Sequence, residues 1–272
     1  MKAFGFQYLF LSAATLTGVF ANTPLWEDSF KNDIFSVVKA SAPLWVFNSA
    51  DPCLPTAAIL NKDMNQPNPG GQKQCTTKHP ALGNEKQSQI NEINPRFPTY
   101  YYARKCDYGG GDVQYRILYN MYIPRDTYHD HDWEYAVVVW KKQSNGQFIR
   151  DSIFLEQHGN RKYLKWGDIT HTVWDWNNRN ARNQRNANHP KLQIQSSGHV
   201  LSEDVLPASR NCPVGAHESE CMMMNPIARS GAWAANWLTN GVNNLPDRNW
   251  GSADSSPHSF QPGRHRDICW NM

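Results

Sequence analysis

The chemistry-bearing residues of this chain crowd into one stretch, Ile123-Pro124-Arg125-Asp126-Thr127-Tyr128-His129-Asp130-His131-Asp132-Trp133-Glu134. On an extended strand, side chains alternate across the sheet, so Asp132 and Glu134 face the same way. Asp130 shares their parity, and His129 and His131 fall on the other. A turn near Asp130 would still bring His129 over the carboxylates, and Asp126 lies across the same turn. Carboxylates at this density repel one another unless a cation neutralises them. Three acids with one imidazole suit a hard cation, Mg²⁺ or Ca²⁺, that keeps several waters. The competing reading is a solvated acidic turn with the histidines as bystanders.

The elements around the stretch must hold it as a turn between strands. Upstream, Val113 to Ile123 alternates, with Tyr115, Ile117, Tyr119, Met121 and Ile123 on one parity. Downstream, Tyr135 to Trp140 is a Val- and aromatic-rich run that reads as a strand. Further strands are expected at Ala42–Phe47, Tyr100–Ala103, Gln147–Leu155 (after the turn signal Ser144-Asn145-Gly146) and Lys162–Trp166. Strands joined by short turns predict antiparallel sheets packed as a sandwich, a mainly β, α+β class fold with a few peripheral helices. One helix is expected near the C-terminus, with Asn225 as cap and Pro226 at its first position. Trp233, Ala234 and Trp237 lie within it, and Gly241 ends it. The tail from Leu245 to Phe260 reads as loop.

The 272 residues suffice for one large domain, and no repeat or boundary divides them. Lys2, the mostly apolar run Phe4–Val19 and the small-residue site ending at Ala21 form a secretory signal peptide, leaving residues 22–272 as a single domain. No later segment approaches about 18 consecutive apolar residues. A net charge of +3 gives no strong field. Arg179, Arg182 and Arg185 sit in an Asn-rich stretch without helical or strand period, so nucleic acid is not an expected partner. Eleven Trp and 11 Tyr suit pleated half-buried surfaces and a surface that grips sugars or lipid headgroups.

Six cysteines in an exported chain predict three disulfides among Cys53, Cys75, Cys106, Cys212, Cys221 and Cys269. Spacing alone leaves the connectivity open. Cys212 and Cys221 are close enough in sequence to pair locally, and no Cys-x-x-Cys supports zinc. A secreted metallo-hydrolase using His129-x-His131 is a rival, but the motif lacks the flanking His of known zinc hydrolase patterns.

The segment His129-Asp130-His131-Asp132-Trp133-Glu134, with the hydrophobic strand after it, resembles the heptapeptide Gly-His-Arg-His-Asp-Trp-Glu of the Nep1-like (NPP1) necrosis- and ethylene-inducing family. Leu118 to Asp126 resembles the family strand that ends in Phe-Pro-Lys-Asp. Looser matches fall at His158-Gly159, His189-Pro190-Lys191 and Leu245-Pro246-Asp247, and the resemblance covers about residues 35 to 262. It implies a β-sandwich resembling actinoporins and fungal lectins, with Mg²⁺ or Ca²⁺ at the base of a surface crevice. It further implies a secreted, extracellular, monomeric virulence toxin and no enzyme. Such a toxin binds glycosylinositol phosphorylceramide sphingolipid in plant plasma membranes and damages the membrane. Carried over by position, the ligands are Asp126, His129, Asp132 and Glu134. His131 and Trp133 support the site, His158 lies on a neighbouring loop, and Cys53 pairs with Cys75. Cys106 is then left for Cys269 by subtraction. The pattern departs at Tyr128, where the family has Gly, and at Asp130, where it has Arg. Gly permits a positive φ that Tyr resists, and Asp130 puts an anion beside the expected metal as a further site residue. These departures favour an alternative, a non-cytotoxic lectin-like binder or host-recognised pattern.

Overall fold

The computed structural model describes residues 22–47, 53–59, 67–71, 73, 97–126, 128–174, 184–194, 201–203, 231–234 and 238–270. The expected leader (1–21), Cys75, Cys212, Cys221, Arg179, Arg182, Asn225, Pro226 and Trp237 lie outside them. Two short helices open the described chain, α1 (Glu27–Asn32) and α2 (Ile34–Ala40), the second capped by the Asp33 carboxylate on the Ser36 N–H at 3.1 Å.

The strands follow as β1 (Leu44–Phe47), β2 (Thr99–Asp107), β3 (Val113–Arg125), β4 (Asp130–Lys142), β5 (Phe148–Gln157) and β6 (Asn160–Lys165). After them come β7 (Thr172–Val173), β8 (His189–Ile194), β9 (Leu201–Ser202), β10 (Gly231–Ala234) and β11 (Leu238–Asn240). A short helix, α3 (Gly241–Asn244), and a 3₁₀ turn at Pro257–Phe260 complete the described elements. One sheet runs β11-β2-β3-β4-β5-β6, and the other runs β10-β1-β8-β7 with β9 on β8.

The two sheets bury one core between them. Trp45, Leu192 and Ile194 of the smaller sheet meet Ile117, Tyr119, Val138, Trp140 and Ile153 of the larger one, with Phe30, Val37 and Val38 closing one side. The alternating residues Tyr115, Ile117, Tyr119 and Met121 all belong to this core, as their parity predicts. The opposite face of the larger sheet is buried as well. Leu118, Tyr135 and Val137 lie under Phe260 and Ile268, and Tyr100, Tyr122 and Trp133 lie under Leu245 and Trp250. Burial on both faces explains why Tyr135–Trp140 reads as an unbroken apolar run.

The C-terminal segment is tied onto that second face by the Cys106–Cys269 disulfide, by the Arg104–Asp267 ion pair at 2.7 Å, and by Arg116 Nη1 donating to the Ile268 carbonyl at 2.7 Å. The pairing reached by subtraction is therefore present. Cys53 is also disulfide-bonded.

Two expectations fail. The sheets are not wholly antiparallel, because β1 pairs parallel with β8 and β11 pairs parallel with β2. Parallel neighbours need long connections, and both pairs join segments far apart in sequence. The expected C-terminal helix is also absent where the chain is described. Gly231–Ala234 is a strand in register with β1, with Trp233 opposite Trp45. Gly241 starts a helix instead of ending one, with the Asn240 side chain accepting from the N–H groups of Val242 and Asn243. A free edge on β1 outweighed a helical spacing of tryptophans, since local propensity is a weak prior against tertiary pairing. Among the described residues no helix is long and apolar enough to cross a membrane.

Candidate functional site

β3 and β4 pair as far as Arg125↔Asp130, whereas β4 and β5 pair only from Ala136↔Leu155 onward. The start of β4, Asp130 to Tyr135, thus runs past the end of its neighbour. Glu156 at the end of β5, the β5–β6 turn (His158, Gly159) and residues Ser252–Ser255 with Arg266 of the C-terminal segment wall off the gap. The result is a cavity of about 340 Å³. Asp126, His129, Asp132, Trp133, Glu134 and His158 all line it. Ser255 Oγ donates to the Trp133 carbonyl at 2.7 Å and so fixes the C-terminal wall to β4.

The turn before β4 is built on Asp126. Its N–H donates to the His129 carbonyl at 3.1 Å, and its Oδ1 accepts from the N–H groups of Tyr128 and His129 at 2.6 and 2.7 Å. Its Oδ2 stands 3.6 Å from His129 Nε2. His129 Nδ1 lies 2.6 Å from the His131 carbonyl. A carbonyl only accepts, so Nδ1 carries a proton, and in the neutral ring Nε2 keeps its lone pair. Anchoring one ring nitrogen on a carbonyl is the usual way a ligating imidazole is oriented.

His131 takes a left-handed backbone, φ 64°. That conformation is uncommon for a residue with a side chain and persists where the surroundings enforce it. Here its side chain and its carbonyl do different work. The ring leaves the cavity, its Nδ1 2.6 Å from the Tyr122 hydroxyl, and packs edge-on to Trp250. Burial and then nearby Arg248 hold its pKa below the ordinary value. The positive φ therefore falls on His131 and not on Tyr128, whose bulk meets no backbone strain. Tyr128 is 80 % exposed at the lip of the turn.

Asp130 is not in the cavity. Its carboxylate faces the backbone of Gly71, on the side where Gly70 lies against the His131 ring. Expected as a further site residue, Asp130 instead begins β4 with its side chain turned toward the 67–71 loop. The His131 ring lies against Tyr122 and Trp250 and does not line the cavity that His129 lines.

Glu134 is the most buried of the acids, at 2 % exposure, and its Oε2 has no hydrogen-bond partner among the described residues. Burial, followed by the charges of Asp132 and Glu156, pushes its pKa well above the usual carboxylate range. Asp132 Oδ1 accepts from the Trp133 N–H at 2.9 Å. Glu156, which sequence reasoning missed, is buried on the cavity wall and its Oε1 accepts from the Gly159 N–H at 2.8 Å. The available signal was its place two residues before His158, at the end of a strand. Arg266 and Asp254 on the far wall, paired at 2.7 Å, were also not foreseen.

Among the described residues no three His, Cys, Asp or Glu side chains already stand in metal-binding geometry. The donor set nonetheless fits a hard cation. It combines carboxylates on one wall, an imidazole oriented by a carbonyl, and a buried carboxylate oxygen without a hydrogen-bond partner among the described residues.

The family model described as necrosis inducing protein (NPP1) matches residues 42–230. The chain belongs to this family. As an NPP1-family chain it is similar to solved structures of NLPPya in complex with mannosamine (17 % identity, covering 85 % of this chain and 86 % of that one, TM-score 0.44). It is also similar to the structure described as non-toxic HaNLP3 protein (16 % identity, 85 % and 86 % covered, TM-score 0.37). No curated protein matches the chain. The NPP1 match spans the whole Asp126–Glu134 segment and β5.

Proposed function

We propose that this NPP1-family chain is a secreted, non-enzymatic, cation-dependent cytolysin that damages plant plasma membranes by binding glycosylated sphingolipid headgroups. The observation that carries the reading is Glu134 Oε2, a buried carboxylate oxygen with no hydrogen-bond partner among the described residues, in a cavity shared with Asp126, His129 and Asp132. A carboxylate so placed is costly unless a cation meets it.

Asp126, His129, Asp132 and Glu134 would hold Mg²⁺ or Ca²⁺. When bound, the ion supplies a positive charge that phosphate or hydroxyl oxygens of a glycosylinositol phosphorylceramide headgroup can reach. The chain's own residues do the rest. Asp126 ties the turn, the His131 carbonyl orients His129, and Trp133 and His158 shape the walls. Tyr128 at the lip suits the aromatic level of a membrane–water interface. In this reading the two-sheet sandwich is a rigid carrier for surface loops, as in actinoporins and fungal lectins.

Dye leakage from vesicles containing plant glycosylinositol phosphorylceramide tests the proposal. Leakage is expected to stop with chelator, to return with excess Mg²⁺ or Ca²⁺, and to be absent for Asp132→Ala. Leakage indifferent to chelator would remove the cation from the account.

A further inference from the structure

We propose that Glu156 is a further ligand of the cation held by Asp126, His129, Asp132 and Glu134, and that it makes the cavity selective for Ca²⁺ over Mg²⁺. The inference rests on the cation reading above and adds a residue and a selectivity to it.

Glu156 reaches the site from a different element. It sits at the end of β5, where pairing with β4 has stopped, and is only 6 % exposed. Its Oε1 is occupied by the Gly159 N–H at 2.8 Å, which tightens the turn that carries His158. That bond orients the carboxylate on the wall of the cavity that Glu134 also lines. Arg266, the only Lys or Arg among the described residues lining the cavity, does not neutralise Glu156 by an ion pair. Its Nη2 is taken by Asp254 at 2.7 Å and its Nη1 lies 3.4 Å from the Tyr135 hydroxyl. The independent sign of a missing ligand is Glu134 Oε2, fully buried and without a hydrogen-bond partner among the described residues.

The donor count decides the ion. Asp126, Asp132, Glu134 and Glu156 give four carboxylates, and His129 adds a nitrogen. Mg²⁺ demands near-ideal octahedral geometry, dehydrates reluctantly and is usually held by one or two carboxylates. Ca²⁺ accepts six to eight oxygens in flexible geometry and gains affinity with ligand charge. The acids that line this cavity of about 340 Å³ come from a turn and from two strands, so the donors are many and are not fixed by one rigid element.

Calorimetric titration of the full chain, freed of metal, with Ca²⁺ and with Mg²⁺ tests this, using wild type, Glu156→Gln and Asp132→Asn. Gln keeps an oxygen for the Gly159 N–H, and near-ultraviolet circular dichroism checks the fold. The wild type is expected to bind Ca²⁺ about tenfold more tightly than Mg²⁺. Glu156→Gln should lose about tenfold in Ca²⁺ affinity and much less for Mg²⁺, collapsing the preference. If Glu156→Gln matches wild type for both ions while Asp132→Asn abolishes binding, Glu156 is no ligand and the cation site stands. If the wild type binds neither ion, the site itself is refuted.

Discussion

The strand β4 has two halves that obey opposite rules. From Ala136 to Trp140 it is flanked by β3 and β5 and packed on both faces, and its side chains are apolar. From Asp130 to Tyr135 it has lost β5 as a neighbour, and it puts Asp132 and Glu134 into a cavity where an oxygen of Glu134 goes unpaired. From Asp132 to Trp140 both halves are buried. The first packs apolar side chains, and the second keeps buried polar groups that cost stability, which is what the proposed cation site would offset. One strand thus carries both a doubly packed apolar half and the acidic wall of a cavity.

The sharpest break between the halves is Asp132→Ala against Trp140→Ala. The first should lower cation affinity by about a hundredfold or more with little change in Tm. The second should cost about 3–5 kcal/mol of stability, read by urea unfolding, because it empties a fully buried indole site. Equal loss of stability in both would erase the distinction.

Next in size is the covalent tie that holds the far wall of the cavity. Replacing Cys106 and Cys269 by Ser should cost about 2–5 kcal/mol, since the bond closes a loop of sequence separation 163. Because Ser252–Ser255 and Arg266 then lose their anchor, cation affinity should fall as well, which a core variant such as Val138→Ala should not cause.

Smaller effects follow from charge. Glu134 has a raised pKa when folded, above its ordinary 4.5. In metal-free protein the unfolded chain ionises it first, so stability falls as pH rises from about 4.5 toward the raised value. Glu134→Gln should remove that loss and raise metal-free stability by on the order of 1 kcal/mol at neutral pH, while cation binding disappears. His189 behaves oppositely. Its ring is buried and near the Ala42 carbonyl at 2.9 Å, and burial holds its pKa down at about 3 against an ordinary 6.5. Its contribution is present above pH 6.5 and is lost as pH falls toward 3. His189→Gln should flatten the acid limb of a Tm-against-pH curve and leave cation affinity unchanged.

Much of this was legible in the chain. The ligand density of Asp126–Glu134 marked the site, and parity put Asp132 and Glu134 on one wall. Alternation in Val113–Ile123 marked the core face. What periodicity could not show was where β5 stops pairing with β4, because that end depends on contacts between strands. Glu156 and Arg266 were missed for this reason: each reaches the cavity from another part of the chain. His131 and Asp130 were assigned to the site by the family resemblance, and the structure sets the His131 ring against Tyr122 and Trp250 and the Asp130 carboxylate near Gly71. The tryptophan spacing near residue 233 misled because a waiting strand edge on β1 captured Gly231–Ala234.

The central claim is that a divalent cation sits against Glu134 Oε2. Soaking crystals of the chain with Mn²⁺, a hard stand-in for Mg²⁺ and Ca²⁺, and recording anomalous scattering tests it directly. The account predicts one strong peak in the cavity, about 2.0–2.6 Å from carboxylate oxygens of Asp132 and Glu134. A cavity without a peak at saturating Mn²⁺, or a peak only at surface carboxylates elsewhere, would contradict it.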